Sequence, residues 1–350
     1  MRIAIVNDTK MAVESLRRVV TSIPEYRLTW VAYDGAEAVK QCAQVCPDVI
    51  LMDLIMPVMD GVEATRQIMA ASPCAILVVT STVTGNAGKV FEAMGAGALD
   101  AVNTPVLGAS GGGEGREALL LKLRTIGRLI AGHKAPIPLP PPVAHAPKSA
   151  AMPPLLAMGA STGGPAALAA ILCRFPQDFS AAVVIVQHVD EQFTDSFAEW
   201  LNLQTSLPVR RARRGDFPQS GQVLIAGGQD HLVLRESGCL DYASDPQDYP
   251  YRPSVTVFFE SVALRWSADV TGVLLTGMGR DGAQGLLALR RRGFHTIAQD
   301  EASCSVYGMP RAAARLDAAV EILSLEQIAQ VLVQRFPAVT ERQLDMGGGV

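Results

Sequence analysis

Leu155-Leu-Ala-Met-Gly-Ala-Ser161-Thr-Gly-Gly-Pro165 is an apolar run that ends in a glycine-rich turn with a serine at its centre. The run has the length of one buried strand, and Pro165 stands where a helix would begin. The spacing G-x-S-x-G is typical of a sharp strand-to-helix turn that exposes the serine hydroxyl. The glycines could equally be needed for the turn geometry alone. A catalytic Ser161 therefore requires a base and an acid from the rest of the chain.

The composition is that of a folded protein without an extreme charge. The chain has 350 residues, 49% of them hydrophobic and 18% charged, and a net charge of −4. This length allows two domains, and the acidic balance argues against nucleic acid as a partner. We see no signal peptide, and no apolar run reaches the roughly 18–20 residues of a membrane span. We therefore expect a cytoplasmic protein that is not membrane-inserted.

Apolar runs alternate with amphipathic stretches over residues 1–106. The predicted strands lie at 3–6, 28–32, 48–53, 75–80 and 98–102, and the predicted helices at 11–21, 35–45, 61–71 and 86–94. Strand–helix alternation of this kind predicts a doubly wound parallel sheet, whose ligands bind at the carboxyl ends of the strands. Asp8, Asp53 and Thr80 follow or end three of these strands. Carboxylates gathered there would bind Mg²⁺, although both could instead cap helices or loops.

Asp53-Leu-Ile-Met-Pro57-Val-Met-Asp60-Gly61 has the pattern D-x-x-M-P-x-M-D-G. In this stretch the sequence resembles the response-regulator receiver family. The resemblance implies that a sensor histidine kinase is the phosphodonor for Asp53, that Asp8 and Asp53 hold Mg²⁺, and that Thr80 contacts the phosphoryl group as a switch. Two positions depart from the family: Asn7 stands where receivers usually carry a second acid, and Thr104 where they carry a lysine. We expect a weaker metal site and changed phosphorylation kinetics.

Residues 107–154 are interpreted as a connector between the receiver core and the second domain. A helix is predicted from Glu114 to Ile130, as the last helix of the receiver, and eight prolines follow between 135 and 154. Such a proline-rich segment behaves as a solvated, partly stiff spacer. The predicted domains are thus a receiver core at 1–106, this connector, a catalytic domain at 155–341 and a flexible tail at 342–350.

The second half is a second α/β unit. Strands are predicted at 155–158, 182–186, 222–226 and 270–275, helices at 165–174, 193–201 and 255–266, and a hairpin over 236–238. Of the five histidines, only His188 directly follows a buried run, whereas His295 is placed in a loop. Asp281 lies in a glycine-rich turn after another strand. Ser161, His188 and Asp281 thus fall at strand ends as nucleophile, base and orienting acid. Their chain order differs from the Ser, Asp, His order of α/β-hydrolases.

Four motifs together resemble the catalytic domain of the CheB-type chemotaxis methylesterases: Gly159–Gly164, Gln187-His188, Leu275–Ala283 and Gln299–Pro310. The resemblance implies a phosphorylation-controlled serine hydrolase that demethylates glutamate γ-methyl esters on cytoplasmic helices of chemoreceptors, which are methyl-accepting proteins. Deamidation of receptor glutamines is a further implied activity. The implied catalytic residues are Ser161, His188 and Asp281, with the Met278 backbone as oxyanion contact, Thr162 as active-site neighbour and no cofactor in this domain.

The implied fold is α/β, with a flavodoxin-like receiver and a Rossmann-like methylesterase domain, both doubly wound parallel sheets. A finer likeness joins the chain to methylesterases of Wsp-type surface-sensing systems. It rests on the segments Ile5–Asp8, Val58–Thr65 and Asp100–Pro105.

Parts of the sequence allow three other functions. Gly159–Gly164 could cradle the pyrophosphate of a dinucleotide in an oxidoreductase, with Asp190 on the ribose, but its spacing is not G-x-G-x-x-G. A non-enzymatic receiver–effector or scaffold protein would leave the three catalytic residue types unused. Arg210–Arg214 could contact nucleic acid, but a solvated loop is the interpretation that the acidic composition favours. The six cysteines are interpreted as reduced, structural thiols.

Overall fold

The computed structural model describes residues 1–80, 87–105, 113–130, 152–189, 191–247, 249 and 251–338. These residues fall into two compact units divided after Pro136. None of the helices within the described ranges combines the length and apolar character that crossing a bilayer requires.

The first unit is a five-stranded parallel sheet in the order β2-β1-β3-β4-β5, with helices in the connections. Its strands are β1 (Arg2–Val6), β2 (Arg27–Ala32), β3 (Val49–Met52), β4 (Ala75–Thr80) and β5 (Asp100–Asn103). Its helices are α1 (Lys10–Thr21), α2 (Gly35–Gln44), α3 (Gly61–Ala71), α4 (Ala87–Gly95) and α5 (Gly113–Ile130). The apolar faces of α1 and α5 pack on the strands in one core. This confirms the predicted doubly wound sheet.

The strand order reverses between β1 and β3, which are neighbours in the sheet. The residues after these two strands, Asp8 and Asp53, therefore lie at one edge. Neither carboxylate caps a helix: Thr9 precedes α1 without a side-chain cap, whereas Asp34 and Asp60 cap α2 and α3. The helix-capping interpretation of Asp8 and Asp53 is therefore wrong, whereas Asp53 does cap the loop after β3, because its Oδ1 accepts from Leu54 N at 2.7 Å.

The second unit contains a seven-stranded parallel sheet in the order β14-β13-β12-β6-β7-β9-β8 and a separate antiparallel pair, β10-β11. The strands are β6 (Leu155–Ala160), β7 (Ala182–Gln187), β8 (Val209–Arg211), β9 (Val223–Ile225), β10 (His231–Leu234), β11 (Leu240–Ala243), β12 (Val270–Leu274), β13 (His295–Gln299) and β14 (Glu321–Leu323). The helices are α6 (Gly164–Leu172), α7 (Thr194–Asn202), α8 (Val255–Arg265), α9 (Ala283–Arg291), α10 (Met309–Arg315) and α11 (Leu325–Arg335).

Two placements made from sequence are wrong in this unit. His295 begins β13 instead of lying in a loop, and Arg210 and Arg211 belong to the edge strand β8 instead of a solvated loop. β8 has three residues, two of them arginines, and β13 begins with His-Thr and ends in Gln, so neither strand has the apolar run that predicts a buried strand.

β6 lies at the centre of the seven-stranded sheet and is buried along its whole length. The neighbours of β6 are β7 on one side and β12 on the other, so the strand order reverses here. A Cβ on Gly159 would lie 2.2 Å from Val255 Cγ1, so this glycine lets α8 pack directly on the strand. Ser161 consequently follows the strand at the switch point of the sheet, where α/β folds bind ligands.

Gly61 and Gly88 both lie early in helices of the first unit, but alanine substitutions at these two positions should change the free energy of unfolding in opposite directions. A Cβ on Gly61 would lie 1.9 Å from the Asp53 carbonyl oxygen, whereas one on Gly88 would meet nothing within 4 Å. We expect Gly61→Ala to lower the free energy of unfolding by about 3 kcal/mol through overpacking. Gly88→Ala should raise it by about 0.5 kcal/mol. Scanning calorimetry of the full chain measures both, and equal effects would contradict the packing described for Gly61.

Candidate functional site

Ser161 and His188 follow adjacent parallel strands at matching positions. Ala160 is paired with Gln187 in the sheet, and the His188 N–H donates to the Ala160 carbonyl at 3.1 Å. On its other side, the Ser161 N–H donates to the Thr276 carbonyl at 3.0 Å. Neighbouring strands lie about 4.8 Å apart, so the two residues stand side by side at the carboxyl edge.

The buried Gln187 side chain fixes the backbone at this edge. Its Nε2 donates to the carbonyls of Ser161 at 2.9 Å and of His188 at 3.0 Å. Gly164 leaves room for it, because a Cβ there would lie 2.0 Å from Gln187 Oε1. One amide thus ties together the two residues that were predicted as nucleophile and base.

His188 and Asp281 form a buried pair. The His188 Nε2 lies 2.8 Å from Asp281 Oδ2, and the two side chains are 8% and 5% exposed. The ring of Tyr251 stacks on the imidazole with centroids 4.3 Å apart and planes at 12°. The hydrogen bond and the stacked ring together leave the imidazole little rotational freedom.

The Asp281 side chain, from the loop before α9, contacts the N-terminus of α8. Its oxygens accept from Val255 N at 2.7 Å, Thr256 N at 3.0 Å and the Ser254 hydroxyl at 2.8 Å. Burial alone would raise the pKa of this carboxyl, but the bond and charge of His188 and the bonds from Ser254 and Thr256 outweigh burial and hold the pKa well below its usual range. Helix N-termini stabilise anions in the same way. Asp281 is therefore an ionised acceptor at neutral pH.

The environment of His188 Nδ1 differs from that of Nε2. His188 Nδ1 is buried and makes no hydrogen bond within the described residues, and its partner nitrogen is engaged by Asp281. The Ser161 hydroxyl therefore does not bond His188 in this structure, although the serine directly follows the adjacent strand. Catalytic hydrogen bonds are often long before substrate is bound.

The loop after β12 lies against Ser161. A Cβ on Gly277 would lie 2.8 Å from Ser161 Cβ, and the Gly277 carbonyl accepts from Gly308 N at 3.1 Å and Met309 N at 2.8 Å. Within the described chain the Met278 N–H donates no backbone hydrogen bond. The turn therefore brings an available donor into the region of the serine.

Thr162 is positioned through its backbone. Its carbonyl accepts from the Thr276 hydroxyl at 3.0 Å, and the Thr276 N–H is in turn bonded to Gln299 Oε1 at 2.8 Å. This network connects the turn after β6 to β13.

Several supporting residues were missed from sequence. Ser254 also caps α8, and its N–H donates to Nδ1 of the fully buried His231 at 3.1 Å. A serine directly before the helix predicted at 255–266 was a usable signal for this cap. Nothing in the sequence pattern marks Tyr251, because its partner His188 comes from a distant segment, and the Gln187-His188 motif gave no indication of the bonds that the Gln187 side chain makes.

Asp53 occupies the corresponding edge of the first unit. Its Oδ2 accepts from Asn7 Nδ2 at 2.9 Å and its Oδ1 from Leu54 N at 2.7 Å. Burial raises the pKa of Asp53 to about 6, and the charge of Asp8 contributes in the same direction. Asp8 is exposed, and Thr80 is buried at the end of β4, where its carbonyl accepts from Thr104 N at 2.9 Å.

The donor set at this edge suits a hard divalent cation. Asp8 and Asp53 are close enough for their charges to interact, and oxygen is the ligand that Mg²⁺ prefers. Asn7 adds no such ligand, because its amide nitrogen faces Asp53 and its oxygen accepts from Thr9 N at 2.8 Å.

The alternatives weighed from sequence gain no support here. Gly164 packs against Gln187 and a Cβ on Gly163 would meet Ser305 at 2.6 Å, so these glycines contact the protein's own side chains. Asp190 lies outside the described residues. In the arginine cluster, the carboxylates of Asp216, Glu191 and Asp241 pair with Arg210, Arg211 and Arg214, respectively. Ion pairs of this kind reduce the positive charge that nucleic acid would need.

Comparison with known proteins identifies two domain families in the chain. The CheB methylesterase family matches residues 156–332, and the response regulator receiver domain matches residues 3–108. The chain is 56% identical to protein-glutamate methylesterase/protein-glutamine glutaminase 3 of Pseudomonas aeruginosa, over 96% of this chain and all of that protein. It is 57% identical to the corresponding protein 2 of Cupriavidus metallidurans, over 95% of this chain and 98% of the relative.

One solved structure is similar to the second unit in both sequence and fold. The CheB methylesterase catalytic domain of Thermotoga maritima is 32% identical, with a TM-score of 0.50, over 52% of this chain and 97% of that one. Sequence identity of 56–57% over nearly the whole chain is higher than a shared fold alone would produce. The chain therefore belongs to the CheB methylesterase family, with a response regulator receiver domain preceding the methylesterase domain.

Proposed function

We propose that the chain is a protein-glutamate methylesterase and protein-glutamine glutaminase whose turnover is controlled by phosphorylation of Asp53. The observation that carries the proposal is the buried His188–Asp281 hydrogen bond of 2.8 Å beside Ser161, at the switch point of the sheet. Relatives that cover nearly the whole chain have these two activities in their names.

His188 acts as the general base through Nδ1. Since Asp281 is an ionised acceptor at Nε2, the neutral imidazole carries its proton on Nε2 and has its lone pair on the unbonded Nδ1. This nitrogen accepts the Ser161 proton once the hydroxyl turns toward it, as Oγ attacks the glutamyl γ-carbonyl. Asp281 stabilises the imidazolium that results.

The tetrahedral intermediate places negative charge on the former carbonyl oxygen. The Met278 N–H donates to this oxygen, and Thr162 lines the site beside it. The imidazolium returns its proton to the leaving methoxide, which departs as methanol and leaves a Ser161 acyl-enzyme. Water, deprotonated by His188, attacks the acyl carbon; the bond to Ser161 Oγ breaks, the imidazolium returns its proton to Oγ, and the released glutamate side chain ionises to a carboxylate. Glutamine follows the same steps and loses ammonia in place of methanol.

The substrate is a methylated chemoreceptor, and the reaction takes place at its cytoplasmic helices. A sensor histidine kinase supplies the phosphoryl group to Asp53, which accepts it on a carboxylate oxygen. Asp8 and Asp53 hold Mg²⁺, which when bound offsets negative charge at the phosphorylation site. Thr80 contacts the phosphoryl group. Membership in a Wsp-type surface-sensing system remains a prediction from the sequence likeness.

The first prediction concerns the nucleophile and the orienting acid. Ser161→Ala should reduce kcat for methanol release from methylated receptor by at least about 10⁴-fold. Asp281→Asn should reduce it by about 10⁴-fold, since the amide favours the wrong imidazole tautomer. Ser267→Ala, at the opposite edge of the sheet, is the control and should retain full activity. Methanol release by Ser161→Ala at the wild-type rate would indicate a different nucleophile, and no release by the wild type would favour a scaffold.

The second prediction concerns the receiver. Incubating the full chain with Mg²⁺ and a small phosphodonor should place one phosphoryl group on Asp53 and increase methanol release. Asp53→Asn should remove both effects while leaving the unstimulated rate unchanged. Asn7→Asp should increase Mg²⁺ affinity and labelling rate, because it adds the missing carboxylate. Label that persists in Asp53→Asn, measured by intact-protein mass spectrometry, would overturn the assignment.

The third prediction is a pH dependence of opposite sign in the two units. Because the pKa of Asp53 is raised to about 6, the stability that this group contributes is fully present below about pH 4 and is lost as pH rises through about 6. Asp53→Asn should therefore raise the free energy of unfolding of the first unit by about 1–2 kcal/mol at pH 7.5, allowing for partial exposure, and change it little at pH 4.

Asp281 has the opposite effect on the second unit. Because its pKa is held below the unfolded value, the stability it contributes is present above about pH 4 and is lost as pH falls through the folded pKa. Asp281→Asn should therefore lower the second unit's Tm at pH 7, with a smaller deficit in acid. Calorimetry between about pH 2 and 8 measures both variants, since the change for Asp281→Asn falls below about pH 4 and that for Asp53→Asn above it. A first unit that Asp53→Asn destabilises at pH 7.5 would contradict this assignment.

A further inference from the structure

Three cysteines that are far apart in sequence meet in the first unit. Cys42 lies in α2, Cys46 follows the end of that helix, and Cys74 directly precedes β4. All three are free thiols, and their sulfur atoms lie within 4.8 Å of one another. Cys42 is buried, whereas Cys46 and Cys74 are partly exposed, so the cluster can be reached from solvent.

This thiol cluster is remote from the phosphorylation site. Cys46 and Cys74 precede β3 and β4 at the amino edge of the sheet, whereas Asp53 follows β3 at the carboxyl edge. A four-residue strand spans roughly 13 Å. The cluster therefore has its own surroundings and takes no part in the chemistry of Asp53.

We propose that Cys42, Cys46 and Cys74 bind one soft, thiophilic metal ion through three thiolates. With metal–sulfur bonds of about 2.3 Å, ligand sulfurs lie about 3.8–4.0 Å apart in tetrahedral or trigonal geometry. Sulfurs that already lie within 4.8 Å of one another reach this spacing by small side-chain rotations. A disulfide would join only two of the three and leave the third thiol unused.

The donor set selects the kind of ion. Among the described residues, the cluster contains no histidine or carboxylate beside the three sulfurs. Thiolates favour Cu(I) and Zn²⁺ over the hard ions Mg²⁺ and Ca²⁺. Three thiolates satisfy Cu(I), while Zn²⁺ takes a water as fourth ligand on the partly exposed side. This site therefore differs in its ion from the Asp8 and Asp53 pair.

The neighbouring backbone is consistent with a role as a clamp. The Cys42 and Cys46 thiols donate to the Ser72 carbonyl oxygen, with sulfur–oxygen distances of 3.7 and 3.9 Å, so both already contact the segment after α3, and metal binding would replace these protons. An ion bound here would join the segment after α2 to the segment after α3. Metal binding to the folded chain alone would then stabilise the first unit.

The test uses the reduced full-length chain with Zn²⁺ and Cu(I) in separate arms. We expect one ion per chain after gel filtration and a first shell of three sulfurs by X-ray absorption. Cys46→Ser and Cys74→Ser, at the two partly exposed positions, should each weaken binding by more than about 100-fold, since loss of even an outer-shell partner weakens binding by about 10–100-fold. Cys173→Ser, at an exposed thiol of the second unit, is the matched control and should bind like wild type.

Circular dichroism of the metal-free variants checks that they fold. Retention of neither ion, or a shell with fewer than two sulfurs, would overturn the proposal. So would equal affinity in Cys74→Ser and Cys173→Ser. The result is independent of the proposed enzymatic function, because methanol release and Asp53 labelling should proceed in the metal-free chain.

Discussion

The hydrogen bond between His188 and Asp281 depends on a buried carboxylate that stays ionised. Burying a charge without partners costs several kcal/mol, and Asp281 avoids this with five donors. Two of these donors are the first N–H groups of α8, so the helix supplies both bonds and a favourable dipole. Ser254 holds that helix end, and His231 holds Ser254. The orientation of the imidazole therefore depends on the packing of α8 against β6, which Gly159 permits.

Both units use the same topological feature to gather reactive groups. In each parallel sheet the strand order reverses at one point, and the loops after the two strands there diverge to opposite faces. Asp8 and Asp53 follow β1 and β3 at one such point. Ser161 and His188 follow β6 and β7, beside the other. The two proposed sites thus share an architecture and differ in their chemistry.

The sequence predicts this architecture well where strands are apolar and end in a distinctive residue. Buried runs before Asp53, Ser161 and His188 mark strand ends directly, and strand ends are where parallel sheets bind ligands. The sequence fails for β8, β13 and β14, which are short strands without a sustained apolar run. It also fails for contacts between distant segments. Cys74 meets Cys42 only because α2 and β4 are brought together by the fold, and no spacing rule contains that information.

Asp53 and Asp281 show how one residue type acquires two roles. Five donors surround the oxygens of Asp281, so its charge is stabilised and its lone pairs are occupied, which suits an orienting group. Asp53 has fewer donors and an acidic neighbour, and its pKa is raised to about 6. Its charge is poorly compensated, so a cation at this edge gains a favourable interaction that the protein alone does not provide. Asn7 supplies part of that compensation as a neutral donor to Asp53 Oδ2. A carboxylate at position 7 would instead repel the Asp53 carboxylate. Asp53, as the phosphoryl acceptor, would then depend more strongly on the bound cation.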